Sequence, residues 1–191
     1  ARLGLGPARL IVETVGARVH VLERGEWPRY RSEVLAIERA TYEEGRRDSE
    51  EHLSAMVEGE DAFGLLLLRR TDHGERVLGY AFGGPIEQYD ADGPSADPMR
   101  GQRNTFYSAN ITVAAKERGG GLGLRLKRAQ VRRVANLKHE DGSPRYVFMT
   151  GRNRVGHTRE MAGINHAFGA YAVEHFKGNQ YGDRSGEALY Y

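Results

Sequence analysis

Three consecutive glycines stand between a strand-like run and a long basic stretch, and this corner constrains the local fold more than any other part of the sequence. In "ITVAAKERGGGLGLRLKRAQV", residues 111–131, four of the five residues from Gly119 to Gly123 are glycine. The β-branched residues before the corner predict a strand, and the amphipathic pattern after it predicts a helix that ends near Leu137. Glycines at a helix start lower its stability, so their presence indicates that something must approach the backbone closely.

The ligand expected at this corner is a phosphate or pyrophosphate. A helix N-terminus has unpaired N–H groups and a partial positive charge, and Arg118 adds a fixed cation. A Walker loop is excluded because Gly-Lys-Ser/Thr does not occur in the sequence. A Rossmann fingerprint fails because its third glycine position holds Leu124 or Leu126. The structural alternative is a glycine turn that only lets a helix pack close to a sheet.

The pattern that fits is R-x-x-G-x-G, formed by Arg118, Gly121 and Gly123 between a strand and a helix. It resembles the acyl-CoA-binding motif of the GCN5-related N-acetyltransferase (GNAT) superfamily. The predicted element order, β-α-α-β-β-β-α-β-α-β-β, is also that of the family and covers most of the chain. The resemblance implies an α/β (α+β mixed sheet) class: a central, mostly antiparallel sheet with a splayed parallel pair and helices on both faces.

The resemblance also implies that acetyl-CoA or coenzyme A is the cofactor. The strand residues that would pair with the pantetheine arm through their main chain are Ile111, Thr112 and Val113. The residues that would hold the pyrophosphate are Arg118, Gly119, Gly120, Gly121, Leu122 and Gly123. Arg125 or Arg128 would reach the adenosine phosphate, or simply form a solvated helix face. Asn153 falls where the family often has an asparagine near the cofactor, although asparagine is also a common turn residue.

Acetyl transfer from a thioester to an amine needs a neutral amine, an oxyanion stabiliser and a proton for the departing thiolate. By resemblance, the backbone N–H of Val113 is the oxyanion donor. Glu87, at the end of the apolar stretch "GYAFGGPIE", is the predicted general base. The alternative for Glu87 is an ordinary exposed glutamate at a strand end.

The general acid is where the sequence departs from the family pattern. Many members carry a tyrosine four residues before the glycine that ends the last helix, and here that position, counted from Gly169, is Asn165. An asparagine cannot supply a proton as a phenol does. Tyr107, His166 and Tyr171 are the candidate substitutes, and direct protonation by solvent is the alternative.

The composition limits the other classes of protein to which the chain could belong. With 39% hydrophobic and 28% charged residues the chain is expected to be globular. The absence of cysteine excludes disulfides and thiolate catalysis. His157, His166 and His175 are spaced by nine residues, which does not predict a metal site. A net charge of +2 disfavours nucleic acid as a partner, and no apolar run approaches the roughly 20 residues of a membrane span.

The chain is therefore interpreted as a single acyltransferase domain over residues 1–191, with residues 1–17 as a linker or trimmed extension. The predicted activity is acetyl-CoA-dependent N-acetylation of a primary amine, with a small-molecule amine as the favoured partner. The alternatives are protein lysine or N-terminal acetylation, and an acyl-CoA-binding module without turnover. A cytoplasmic location is assumed by default. A homodimer is an option by analogy, because "EALYY" at residues 187–191 offers a strand to a partner chain.

Overall fold

A computed structural model of the chain describes residues 16–23, 25–155, 159–178, 180 and 186–191. The strands in these ranges are β1 (Ala17–Leu22), β2 (Phe63–Thr71), β3 (Gly74–Pro85), β4 (Thr105–Val113), β5 (Phe148–Arg154), β6 (Glu174–Phe176) and β7 (Ala188–Tyr190). The helices are α1 (Trp27–Thr41), α2 (Glu50–Glu58), α3 (Leu122–Asn136) and α4 (Arg159–Ala167).

The order of these elements is the predicted one, and the mixed α/β class is confirmed. Two strand boundaries differ from those that the sequence pattern predicts, which are Arg18 to Trp27 for the first strand and Arg145 to Thr150 for the strand after α3. β1 ends at Leu22, because Trp27 and Pro28 already belong to α1. A proline is well tolerated in the first turn of a helix, where its missing N–H would have had no acceptor. β5 begins at Phe148, later than predicted, and runs on to Arg154.

The seven strands form one sheet in the order β1-β2-β3-β4-β5-β7-β6. Its pairs are antiparallel apart from β4 and β5, which are parallel. The parallel pairing ends at Ser108 and Gly151. Beyond that point β4 stays paired with β3 as far as Val113, but it has left β5. The two parallel strands therefore diverge and leave a V-shaped opening, which we call the splay.

A β-bulge lies where the splay begins. Phe82 of β3 pairs with Asn110, whereas the next residue of β3 pairs with Ser108, so Ala109 is an extra residue in β4. A bulge bends its strand and increases the local twist. The side chain of Gln130 on α3 holds this point: its Oε1 accepts from the Ser108 hydroxyl at 2.7 Å, and its Nε2 donates to the Phe82 carbonyl at 3.4 Å.

Two hydrophobic clusters cover the two faces of the sheet. The cluster beneath α1 and α2 includes Val34, Leu53 and Tyr80, each of them fully buried. The cluster beneath α3 includes Phe106 and Leu126, which are also fully buried. Helices therefore pack against both faces of the central strands, and this packing fixes the position of the splay.

The C-terminal strand is an inner strand of the sheet. β7 pairs with β5 along one edge and with β6 along the other. Contrary to the sequence expectation, "EALYY" thus has no free edge to offer to a partner chain. The predicted extension falls almost wholly on residues 1–15, outside the described residues, as does His157. Within the described ranges, no helix is long and apolar enough to cross a membrane.

Candidate functional site at the splayed strands

A cavity of about 260 Å³ opens at the splay. Its walls come from β4 and β5, from the segment that joins α1 to α2, and from the inner sides of α3 and α4. We call it the splay cavity. Because a diverging strand pair leaves main-chain groups without ladder partners, the cavity combines unused backbone donors with side chains from four helices.

The main chain of β4 presents alternate residues to the splay. The N–H of Ala114 donates to the carbonyl of Leu78 on β3 at 2.9 Å. Successive residues of a strand direct their backbone groups to opposite edges. The N–H and C=O of Ile111 and Val113 therefore face the splay, whereas those of Thr112 face β3. Of the three residues predicted to pair with pantetheine, two have main-chain groups that can do so.

The glycine corner lies at the start of α3, beyond the end of β4. Gly119 and Gly121 have φ angles of +91° and +73°, a region that favours glycine. Apart from the adjacent residues, no atom of the described ranges lies within 4 Å of the place where a Cβ would stand at either residue. Gly121 caps α3, whose first turn is closed by the bond from the Arg125 N–H to the Gly121 carbonyl at 3.0 Å. The N–H groups of residues 122–124 have no acceptor within the helix and are free to bind an anion.

Arg118 precedes the glycine corner in the chain. Its Nε donates to the carbonyl of Val113 at 3.0 Å, which fixes the guanidinium at the edge of β4. Gly120 is exposed. A Cβ on Gly123 would lie 3.6 Å from Cδ1 of Ile164 on α4, so this glycine marks the approach of α3 to α4.

Asn153 lies on the opposite arm of the splay. Its main chain pairs with Leu189 of β7, and its side chain lines the splay cavity. The Nδ2 atom is buried and has no hydrogen-bond partner within the described part of the chain. A buried donor without an acceptor costs stability, so this amide indicates that a ligand accepts from it.

A chain of polar side chains forms the wall that faces α1 and α2. The hydroxyl of Tyr42 lies 2.8 Å from Oγ1 of Thr112, which donates to Oδ1 of Asn110 at 2.7 Å. The Nδ2 of Asn110 donates to Oδ2 of Asp48 at 2.9 Å. The other carboxylate oxygen of Asp48 lies 2.9 Å from Nδ1 of His52. The result is a carboxylate–imidazole pair that is held on the wall of the cavity.

The buried carboxyl group of Glu38 holds the main chain of Asp48 in place. Oε1 of Glu38 accepts from the main-chain N–H of Asp48 at 3.0 Å, and Oε2 accepts from the hydroxyl of Tyr80. Burial raises the pKa of the Glu38 carboxyl. The hydrogen bond to Asp48 raises the pKa of the His52 imidazole, so the ring is a stronger base than a free histidine.

Glu87, the predicted general base, is placed away from the splay cavity. It lies in the 3-10 turn Ile86–Gln88. Its Oε1 accepts from the main-chain N–H groups of Gly101 and Arg103, at 3.0 Å each. These bonds tie the end of β3 to the end of the long loop before β4.

The candidate proton donors separate into two groups. Tyr107 and Asn165 are buried and line the splay cavity, and the Tyr107 ring packs 4.7 Å from that of Tyr89. Tyr171 is 72% exposed and lies outside the cavity lining. His166 is also exposed and lies outside this lining. Among these four residues, the structure brings only Tyr107 and Asn165 to the splay.

Three aspartates of the loop before β4 (residues 89–104) bind other side chains of the protein. Asp90 forms an ion pair with Arg100. Asp92 accepts from Nε2 of Gln180 at 2.8 Å. Asp97 accepts from the Tyr190 hydroxyl at 2.6 Å. These contacts anchor the loop to the C-terminal strands.

Sequence reasoning missed three side chains of the splay cavity. The pattern "DSEEHLSAMVEG" predicts Asp48 or Ser49 as a helix N-cap and assigns no role to His52. The i,i+4 spacing of Asp48 and His52 at a helix start was the available signal. The basic pattern of residues 116–133 predicts a solvated helix face that includes Lys127, but Lys127 is only 8% exposed. It lies next to Leu126 and three residues before Gln130, both of them buried, which indicates the inner side of the helix.

No family model matches the sequence, and no curated protein matches it significantly. Solved structures do match it. NAA60 of Arabidopsis thaliana, in complex with a bisubstrate analogue, aligns with a TM-score of 0.64 at 15% identity over 92% of this chain and 98% of its own. The ribosomal-protein-S18-alanine N-acetyltransferase from Escherichia coli aligns with a TM-score of 0.60 at 15% identity, over 91% of this chain and 90% of its own. A GNAT family acetyltransferase from Elizabethkingia anophelis with acetyl-CoA bound gives 0.57 at 13% identity, over 92% and 96%. The chain therefore has the fold of the GNAT acetyltransferases.

Proposed function

We propose that the protein is an acetyl-CoA-dependent N-acetyltransferase that moves the acetyl group to a primary amine by direct attack within a ternary complex. The observation that carries the proposal is the position of the splay: it opens beside a helix N-terminus with free amides and contains an oriented imidazole. A structural glycine turn would require neither the unpaired strand edge nor an Asn153 Nδ2 that has no acceptor among the described residues. The fold shared with solved acetyltransferases supports the same activity.

The residues present fit coenzyme A. A pyrophosphate is an anion that accepts hydrogen bonds. The free N–H groups of residues 122–124 can donate hydrogen bonds to it, and the Arg118 guanidinium supplies a positive charge. The open edge at Ile111 and Val113 matches the amides of a pantetheine arm. The buried Asn153 amide matches a carbonyl acceptor on the same arm. When bound, acetyl-CoA supplies the activated acetyl group as a thioester.

We assign the general base to His52, oriented by Asp48. In this pair the carboxylate accepts from Nδ1, so the neutral ring carries its lone pair on Nε2. A base must lie within hydrogen-bond reach of the proton that it removes, and His52 lines the same cavity as the splayed strand edge. Glu87 is not assigned this role, because its carboxylate is bound to the main chain of the loop before β4.

The oxyanion donor is assigned to the strand edge. Both Ile111 and Val113 face the splay with their N–H groups, but only Ile111 belongs to the lining of the splay cavity. Val113 lies nearer the glycine corner, where its carbonyl accepts from Arg118. We therefore place the thioester oxygen at the Ile111 N–H and a pantetheine amide at Val113, which revises the role predicted for Val113.

Two acceptor classes compete. The modest volume of the splay cavity, about 260 Å³, favours a small-molecule amine. The similarity to a ribosomal-protein-S18-alanine N-acetyltransferase favours the N-terminus of a protein. We retain the small-molecule amine as the first candidate and the protein N-terminus as the second.

The test is release of free CoA thiol from acetyl-CoA with two acceptor sets, followed by mass spectrometry of the acceptors. One set contains free amino acids and diamines, and the other contains peptides with either a free N-terminus or a single lysine. The His52→Gln variant should lose activity on the accepted set, whereas the matched control His139→Gln, at an exposed residue beyond α3, should retain it. Binding of acetyl-CoA without transfer to any amine would contradict the enzyme and leave an acyl-CoA-binding module.

A further inference from the structure

One buried charged side chain on α3 takes no part in the steps above. Lys127 is 8% exposed. No hydrogen bond or ion pair of Lys127 occurs within the part of the chain that the structure describes. Lysine is almost never buried without a partner, because desolvation of an ammonium is costly. An ammonium without a partner lowers stability where it lies, which favours a functional role for Lys127.

The position of Lys127 is the closed end of the splay. It lines the splay cavity together with Ser108 and Gly151, the residues at which β4 and β5 stop pairing. The next turn of α3 brings Gln130 into contact with Ser108. Lys127 lies four residues beyond Gly123, about 6 Å further along the helix from its N-terminus. It thus stands deeper in the cavity than the amides that would hold the pyrophosphate.

The side chains that line the splay cavity from the α1–α2 side differ in chemistry from those that line it from α3 and α4. His52 and Asp48 come from the α1–α2 side, where an incoming amine must lose a proton. Lys127 comes from α3, the helix whose start would bind the donor. Asn165 of α4, also buried and also lining the cavity, carries no transferable proton. Among the described residues that α3 and α4 contribute to the lining of the cavity, Lys127 alone carries a transferable proton.

On the basis of the proposed function, we propose that Lys127 is the proton donor to the departing CoA thiolate. The substrate amine forms the new C–N bond with the acetyl carbon, and the C–S bond breaks with its electron pair on sulfur. That sulfur takes a proton from Nζ of Lys127, while His52 takes a proton from the nitrogen of the new amide. Proton exchange with water returns both side chains to their starting state.

Burial lowers the pKa of Lys127 to about 8. The group is therefore largely protonated at neutral pH, yet it is a stronger acid than an exposed lysine, which suits a general acid. The other titratable or charged groups that line the splay cavity are Glu38, Tyr42, Arg46, Asp48, His52, Tyr89, Tyr107, Arg152 and Arg154. A second cavity, of about 660 Å³, also reaches Lys127, and the titratable groups that line it are Asp97, Tyr171, Glu174, Tyr190 and Tyr191.

The test uses the full chain with Lys127→Met, Lys127→Arg and, as the matched control, Arg132→Met. Arg132 lies on the same helix but is exposed. Calorimetry first checks that every variant binds acetyl-CoA; failure of the wild type to bind would contradict the proposed function and not the role of Lys127. The second readout is kcat as a function of pH.

Wild type and Arg132→Met should show a kcat that falls above pH 8, because the Lys127 ammonium deprotonates there. Lys127→Met should lower kcat by roughly 10²-fold or more and lose this fall. Lys127→Arg keeps the cation but does not release its proton in this range, so it should lower kcat as Lys127→Met does. Retention of the wild-type kcat and of its fall above pH 8 in Lys127→Met would overturn the proposal. Equal losses in Lys127→Met and Arg132→Met would overturn it too.

Discussion

The imidazole Nδ1 of His52 lies 2.9 Å from Oδ1 of Asp48, one helical turn away along the chain. The other oxygen of Asp48 accepts from Asn110 of β4, so the pair is fixed to the splayed strand itself. This connection places a base of raised pKa next to β4, the strand whose edge would bind the thioester.

The pH dependence of the reaction should report this pair. The bond to Asp48 raises the pKa of His52 above its usual 6.5, and the ring must be neutral to accept a proton. In wild type, kcat/KM should therefore rise with pH through a midpoint above 6.5. Asp48→Asn should move that midpoint to lower pH and reduce the rate, as measured by pH–rate profiles and an NMR titration of the ring.

A similar pair elsewhere provides the control. His175 and Glu187 lie 2.8 Å apart on the surface, outside the splay cavity. Glu187→Gln should leave the pH–rate midpoint unchanged. A midpoint that stays in place in Asp48→Asn would show that His52 is not the titrating base.

The same pair has a consequence for stability. Because the folded-state pKa of His52 is raised, its contribution is fully present below the unfolded-state pKa and is lost as pH rises through the folded value. Urea unfolding at pH 5.5 and pH 8 should show a smaller pH effect in Asp48→Asn than in wild type. An equal pH effect in the two chains would contradict the linkage.

We expect Glu87 to stabilise the fold rather than to act in catalysis. Its carboxylate binds two main-chain N–H groups, so Glu87→Ala leaves both donors without their acceptor. The free energy of unfolding should fall by about 1–3 kcal/mol, measured by urea unfolding. The loss in kcat at saturating substrate should be much smaller than in His52→Gln. A loss of kcat as large as that of His52→Gln, without a loss of stability, would instead support Glu87 as the general base.

Gln130 should hold the bulge at which the splay begins. Gln130→Leu removes both bonds of a fully buried amide, to Ser108 and to the Phe82 carbonyl. We expect a loss of about 1–3 kcal/mol in the free energy of unfolding. Gln102→Leu, at an exposed residue, is the control and should change stability little. Equal stability of the two variants would show that the buried bonds contribute nothing.

The fold could be predicted from the sequence because its local patterns agree with one another. The order of strands and helices, the helix stop at Gly169 and the glycine corner at Gly121 all follow from periodicity and turn chemistry. The corner was readable because glycines destabilise a helix start, so a run of them there indicates a need for open backbone.

The side chains to which we assign catalytic roles were harder to predict, because their positions depend on tertiary structure. Glu87 looked suitable as a carboxylate at the end of an apolar strand, but the loop before β4 folds back and supplies two donors to it. Asp48 meets Asn110 across 62 positions of sequence, a contact that no local pattern encodes. Lys127 differs from the exposed cations of α3 only by the face on which it lies.

The most direct measurement is calorimetric titration of the chain with acetyl-CoA. We predict one-to-one binding that is lost in the double variant Arg118→Ala, Gly121→Asp, which removes the cation and places a carboxylate among the free amides of α3. The control Gly142→Asp introduces the same residue at a φ of +82° beyond the other end of α3, and it should bind as wild type does. Binding that survives the double variant, or no binding by the wild-type chain, would contradict the assignment of the splay as an acyl-CoA site.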